Sequence, residues 1–127
     1  MWLEDLSDRV IGAAIEVHRT LGPGLLESVY ELALEQELIA RNISFERQKP
    51  VPIRYRGLVL DMGLRLDFVI GGEIVVELKS VERLIDIHRS QILTYLKLSG
   101  CKVGLLINFN VPILKNGIRR YVLNSPE

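Results

Sequence analysis

Leu64-Arg65-Leu66-Asp67-Phe68-Val69-Ile70, Gly71-Gly72, Glu73-Ile74-Val75-Val76-Glu77-Leu78-Lys79-Ser80 is a pair of apolar, β-branched runs around a glycine turn, and it reads as a β-hairpin. Asp67, Glu77 and Lys79 are charges inside runs that a half-buried strand would have to desolvate, so solubility does not explain them. Period-two alternation puts Glu77 and Lys79 on one face. The turn decides whether Asp67 joins them. A strict two-residue loop, Gly71-Gly72, sets Asp67 opposite Val76 and sends Asp67 and Glu77 to opposite sides of the sheet. A three-residue loop, Gly71-Gly72-Glu73, pairs Ile70 with Ile74, Val69 with Val75, Phe68 with Val76 and Leu66 with Leu78, and it sets Asp67 opposite Glu77. The second register is preferred, because three-residue loops with a left-handed glycine are common. Two opposed carboxylates repel and ask for a cation between them. An oxygen-seeking metal ion with Lys79 alongside is one candidate; a structural ion pair of Lys79 with Asp67 or Glu77 is the other.

With 127 residues, residues 1–127 are expected to form one domain, with a core that needs no staples. Sixteen basic residues balance sixteen acidic ones, so no global field draws the chain to nucleic acid and any such binding needs a local basic patch. The single cysteine, Cys101, rules out an internal disulfide and a multi-cysteine metal site. It fits a reducing cytoplasm and reads as a small core or strand-entry residue. Met1-Trp2-Leu3-Glu4-Asp5 lacks the features of a signal peptide, and no apolar run reaches membrane-spanning length. The expectation is a cytoplasmic protein with no membrane association.

The spacing of Leu6, Val10, Ile11, Ala14, Ile15, Val17 and Leu21 predicts an amphipathic helix capped by Ser7 or Asp5 and stopped at Gly22-Pro23-Gly24. A second helix is expected from Leu25 to Arg41, with Asn42 as its C-terminal cap. Glu27 lies in its first turn, where dipole complementation alone would explain an acid, and Tyr30 follows on the same side. From Ile43 to Val59 the pattern is strand-like, with an Arg56-Gly57 turn and a return through Leu58-Val59-Leu60. Pro50 and Pro52 suggest an edge. Arg47, Lys49, Arg54 and Arg56 make this the most basic segment, suited equally to a solvated edge and to phosphate contact. Ile85 to Ser99 reads as a third helix closed by Gly100. His88, Gln91 and Tyr95 form a polar row on it, His88 by itself reading as a structural histidine. Lys102 to Asn108 is expected to be a buried strand parallel to its predecessor, and Ile118 to Leu123 a last strand or extended tail. The order predicts an α/β fold, a mixed sheet with helices on both faces.

Asp67, then Glu77-x-Lys79, then Gln91-x-x-x-Tyr95 on a following helix resembles the PD-(D/E)XK nuclease superfamily, in its RecB-like and lambda-exonuclease-like branch. Gly24-x-x-Glu27-x-x-Tyr30 resembles the small GxxExxY family, and the likeness runs from about Ile11 to Leu123, including Leu105-Leu106-Ile107-Asn108-Phe109. Leu66 stands where the superfamily name expects proline.

The resemblance implies a restriction-endonuclease-like fold and a metal-dependent nuclease acting on DNA, with DNA ahead of RNA. It implies that Asp67 and Glu77, with the Leu78 carbonyl, hold Mg²⁺ or Mn²⁺, and that Glu27 is the additional acid of this branch. Lys79 would position the attacking water and stabilise developing charge. Gln91 and Tyr95 would orient the lysine, the phosphate or the DNA end, with Tyr30 and His88 in support. The alternative is a nuclease-fold module that binds nucleic acid or a protein without cutting. Zero net charge and small size favour that alternative; the intact Asp67, Glu77 and Lys79 set disfavours it. A homodimer could supply further binding surface.

Overall fold

A computed structural model describes residues 2–60 and 63–123. The expected span of 1–127 includes residues 1, 61, 62 and 124–127, which lie outside the described residues. The elements are α1 (Trp2–Leu21), α2 (Glu27–Ala40), β1 (Phe45–Pro50), β2 (Ile53–Tyr55), β3 (Leu58–Leu60), β4 (Arg65–Ile70), β5 (Ile74–Lys79), α3 (Asp86–Ser99), β6 (Val103–Asn108), a 3₁₀ turn (Leu114–Gly117) and β7 (Ile118–Val122).

Hydrophobic period sets the layers. In β5 the side chains of Ile74, Val76 and Leu78 enter a cluster with Val10, Ala14 and Val17 of α1 and Leu34 and Leu38 of α2, whereas Val75 enters a second cluster with Leu96 of α3 and Cys101. A strand loaded on both faces is a buried strand, and its neighbour β6 is buried at every position. Helices therefore cover both faces of a five-stranded sheet ordered β1-β4-β5-β6-β7. β5 and β6 are parallel, joined by the α3 crossover, and the other pairs are antiparallel. This is the mixed α/β architecture of the restriction-endonuclease-like fold. The ends of α2 and α3 follow local rules. Asn42 adopts φ 57°, and the N–H groups of Asn42 and Ile43 donate to the carbonyls of Ile39 and Leu38, the bond pair of a Schellman cap. Gly100, at φ 78°, closes α3.

One expectation is corrected. Ser7 and Asp5 do not cap α1, which begins at Trp2; Ser7 Oγ instead donates to the Glu4 carbonyl, 3.1 Å away, inside the helix. The segment after Pro50 forms the expected antiparallel return and stands apart from the main sheet. β2 and β3 pair only with each other, since three-residue strands after Pro52 offer too short a ladder to compete for a sheet edge. The edge position that the prolines indicated falls to β1.

Candidate active site

The β4–β5 turn settles the register. Ile70 pairs with Ile74, Val69 with Val75 and Phe68 with Val76, so the loop is Gly71-Gly72-Glu73, with both glycines at positive φ. Counting on, Asp67 lies opposite Glu77, and there the backbone ladder stops. The Asp67 N–H donates to Glu77 Oε2 at 2.9 Å, and the Leu78 N–H donates to Asp67 Oδ2 at 2.9 Å. Each carboxylate thus accepts a backbone donor from the opposite strand, which fixes both groups at the mouth of the hairpin. Side-chain alternation breaks at the same place: Leu66 belongs to the α3-side cluster and Phe68 to the α1/α2-side cluster, although two residues apart on one strand should share a face.

Burial makes these carboxylates unusual. Glu77 is 6% exposed. Desolvation, then the Asp67 charge, push its carboxyl up to about 8, against the Asp67 N–H and Lys79. Asp67 is pushed up to about 6 by burial and by the charges of Glu31 and Glu27, opposed by the Leu78 N–H and Lys79. Glu27 and Glu31 thus add negative charge to a carboxylate pair that only Lys79 offsets, so the ionised pair is short of positive charge. An oxygen donor set of this kind suits a hard divalent cation. Among the described residues, no three or more His, Cys, Asp or Glu side chains converge as a ready metal cluster.

The remaining residues arrive from both sides of the sheet. Lys79 Nζ donates to Gln91 Oε1 at 2.9 Å, joining β5 to α3. Tyr95, one turn further along, has its phenol pushed up by burial and by the charges of Glu77 and Asp67, so at neutral pH it remains a hydroxyl. His88 is engaged at the start of α3, where its ring Nδ1 accepts from the Ile85 N–H at 3.0 Å and its backbone N–H donates to the Ile85 carbonyl.

Glu27 is the first residue of α2 and is exposed. Its charge reaches Asp67 and Glu77, and it also serves a helix start that no side chain caps. Tyr30 is fully buried and stacks on Phe109 with ring centroids 4.4 Å apart. Its hydroxyl donates to the Gly22 carbonyl and accepts from the Leu25 N–H, which moulds the loop before Glu27. Ser80 Oγ donates to the Leu25 carbonyl at 2.6 Å and ties that loop to the end of β5.

Three residues near the site had no assigned part in the sequence reading. Glu31, with its side chain 12% exposed, accepts from Arg47 Nη1 and from Gln48 Nε2, each at 2.7 Å. It lies one helical turn after Glu27, a spacing that carried the signal. Gln48 sits opposite Asp67 in β1, with φ 54°, and its amide also approaches Asp67 Oδ1 at 3.5 Å. No local pattern announces a left-handed glutamine. Asn108, buried at the end of β6, accepts from the Val81 N–H and donates to the Val81 carbonyl, both at 3.0 Å, holding the chain that leaves Lys79.

No curated protein matches the sequence. The solved structure titled "Crystal structure of SSO0001" is similar, with a TM-score of 0.53 and 28% identity over 79% of this chain and 50% of that one. This chain therefore spans about half the length of that protein. A family model described as PD-(D/E)XK nuclease superfamily matches residues 4–121. That match covers both strands of the hairpin, the lysine two residues after Glu77 and the helix that holds it, and on this ground the chain belongs to the PD-(D/E)XK nuclease superfamily.

Proposed function

We propose that residues 1–127 act as one nuclease domain that hydrolyses phosphodiester bonds of DNA with Mg²⁺ or Mn²⁺, and that it is of the GxxExxY type within the RecB-like and lambda-exonuclease-like branch. The observation that carries the reading is the pair of half-buried Asp67 and buried Glu77, bonded to each other's strands and short of positive charge, with Lys79 beside them. Nucleases of this superfamily generally use divalent metal ions. Asp67, Glu77 and the Leu78 carbonyl would hold the ion, with Glu27 as the further acid. The ion supplies charge neutralisation at the phosphoryl oxygens and an acidified water.

This chain's own residues do the rest. The backbone donors keep both carboxylates in place before substrate arrives, so little reorganisation is needed. Lys79, held by Gln91, presents an ammonium to the attacked phosphate and can relay a proton at Nζ. Tyr95 offers a hydroxyl donor near the same acids. The lone, buried Cys101 accords with a cytoplasmic setting, and a homodimer would enlarge a small binding surface.

Cleavage of linear, nicked, single-stranded and branched DNA, with and without Mg²⁺ or Mn²⁺, tests the reading; RNA is the comparison substrate. Metal-dependent products that disappear in Asp67→Asn are expected. Absence of cleavage on every substrate would overturn it in favour of a non-cutting nuclease-fold module. The exposed position of Glu27 and the absence of a ready cluster of three ligands among the described residues are the observations on that side.

A further inference from the structure

The chain is neutral, yet its positive charge is unevenly placed. Residues 47–65 hold five of the 16 basic residues, Arg47, Lys49, Arg54, Arg56 and Arg65, and one of the 16 acidic ones, Asp61. Arg47 and Lys49 are spent on Glu31, Glu35 and Glu46. Arg54, Arg56 and Arg65 are exposed and make no ion pair among the described residues. All three belong to the β2–β3 hairpin or its root.

The position of that hairpin matters as much as its charge. β1 and β4 end with Pro50 paired to Arg65, two residues beyond Gln48 and Asp67, which is roughly 7 Å along a strand. β2 and β3 lie between Pro50 and Arg65 in the chain, so their hairpin leaves the sheet from the end where the carboxylates lie. Its root is fixed: the Val51 N–H donates to the Leu64 carbonyl at 3.0 Å, and Val51 is buried with Leu66, Val69 and Leu96. Flanking its Arg56-Gly57 turn, the hairpin is apolar and open, since the cross-strand pair Tyr55 and Leu58 are 63% and 64% exposed. An anchored arm with unpaired arginines and an exposed aromatic fits a polyanion that also has flat apolar faces. It fits a second, neutral copy of the chain less well, because the arginines would be brought together or desolvated.

We propose that the β2–β3 hairpin is a nucleic-acid-gripping arm, in which Arg54, Arg56 and Arg65 hold the phosphodiester backbone and the Tyr55–Leu58 pair lies against the bases of the strand presented to Asp67 and Glu77. The arm rests on the nuclease reading for its partner. It supplies the local basic patch that a neutral nuclease requires.

The test uses the full chain in the Asp67→Asn background, with a fluorescein-labelled oligonucleotide as single strand and as duplex, titrated over a range of salt. Arg54→Gln combined with Arg56→Gln should lower the slope of log affinity against log salt by about 1.4 to 2, one phosphate contact per arginine. Tyr55→Ala should weaken single-strand binding by about tenfold with the slope unchanged. Lys97→Gln combined with Lys102→Gln removes the same charge near the start of β6, at the opposite end of the sheet, and should leave the slope as it was. Melting curves establish that each variant is folded. Equal slopes for the arm variant and its parent overturn the arm, and so does a change in sedimentation without a change in DNA binding, which would make the hairpin a self-association surface. If the parent binds no oligonucleotide and the wild type cuts none, the nuclease reading falls together with the arm; a wild type that binds and cuts beside unaffected arm variants removes the arm alone.

Discussion

Along the β4–β5 hairpin, the three residue pairs nearest the turn and the pair beyond them obey different rules. Phe68–Val76, Val69–Val75 and Ile70–Ile74 pair in regular antiparallel register, with apolar side chains buried on both faces. At Asp67 and Glu77 the same strands exchange the ladder for two bonds from backbone N–H to side-chain carboxylate. The closed end minimises its energy by burying apolar surface, about 1.5–3 kcal/mol for each large side chain. The open end keeps its backbone donors satisfied, so opening the ladder costs little hydrogen bonding, but it buries carboxylates that would be better solvated. Stability is concentrated at one end of the hairpin and the proposed chemistry at the other.

The largest effect that separates the two ends is on stability. Phe68 is fully buried and meets Phe45 edge-on at 5.7 Å between ring centroids. Phe68→Ala should cost about 3–5 kcal/mol in denaturant unfolding, enough to threaten the fold. Asp67→Asn, one residue away, should leave the metal-free melting temperature unchanged or raised, because an amide oxygen still accepts the Leu78 N–H while a buried charge is gone. Comparable destabilisation by both substitutions would erase the distinction.

Activity inverts the order. Asp67→Asn should lower metal-dependent cleavage by at least about a hundredfold. Lys79→Ala should also lower cleavage, yet preserve or strengthen stabilisation by Mg²⁺, since both carboxylates remain. Calorimetry beside a cleavage assay distinguishes the two; loss of metal stabilisation in Lys79→Ala would make the lysine structural.

pH sharpens the comparison further. The folded chain holds protons on Asp67 and Glu77 more tightly than the unfolded chain, with carboxyls raised to about 6 and about 8. The unfolded chain therefore ionises first as pH rises. The part of metal-free stability that these two carboxyls contribute should be fullest below about pH 4, fall as pH climbs through the window up to about 8, and level off above it. Mg²⁺ binding displaces those protons, so the Mg²⁺-induced rise in melting temperature should grow over the same window. At tenfold excess over its dissociation constant the ion contributes about 1.4 kcal/mol, on the order of 5 °C for a chain of this size. A Mg²⁺ effect independent of pH would show that the ion sits elsewhere.

The smallest expected effect concerns Gln48. Glycine adopts φ 54° without the strain a side chain carries there, whereas Gln48 gives its amide to Glu31 and approaches Asp67. Gln48→Gly should change stability by no more than about 1 kcal/mol while lowering cleavage several-fold. Unchanged cleavage would mean that Asp67 needs no support from β1.

The sequence by itself cut the hairpin register to two answers and preferred the one that opposes Asp67 and Glu77, because turn length and a period of two are local quantities. The helix ends at Asn42 and Gly100, the parallel pairing of β5 with β6 and the edge position of β1 were legible for similar reasons. Only the tertiary structure decided that the ladder opens at Asp67, that β2 and β3 leave the sheet, and that Glu31, Gln48 and Asn108 converge on the strands bearing Asp67, Glu77 and Lys79. Those outcomes depend on contacts between residues far apart in the chain, such as Asn108 with Val81, 27 residues away, and Gln48 with Glu31, 17 residues away. The energy of such a contact exists only after other elements have been placed, so no local pattern encodes it.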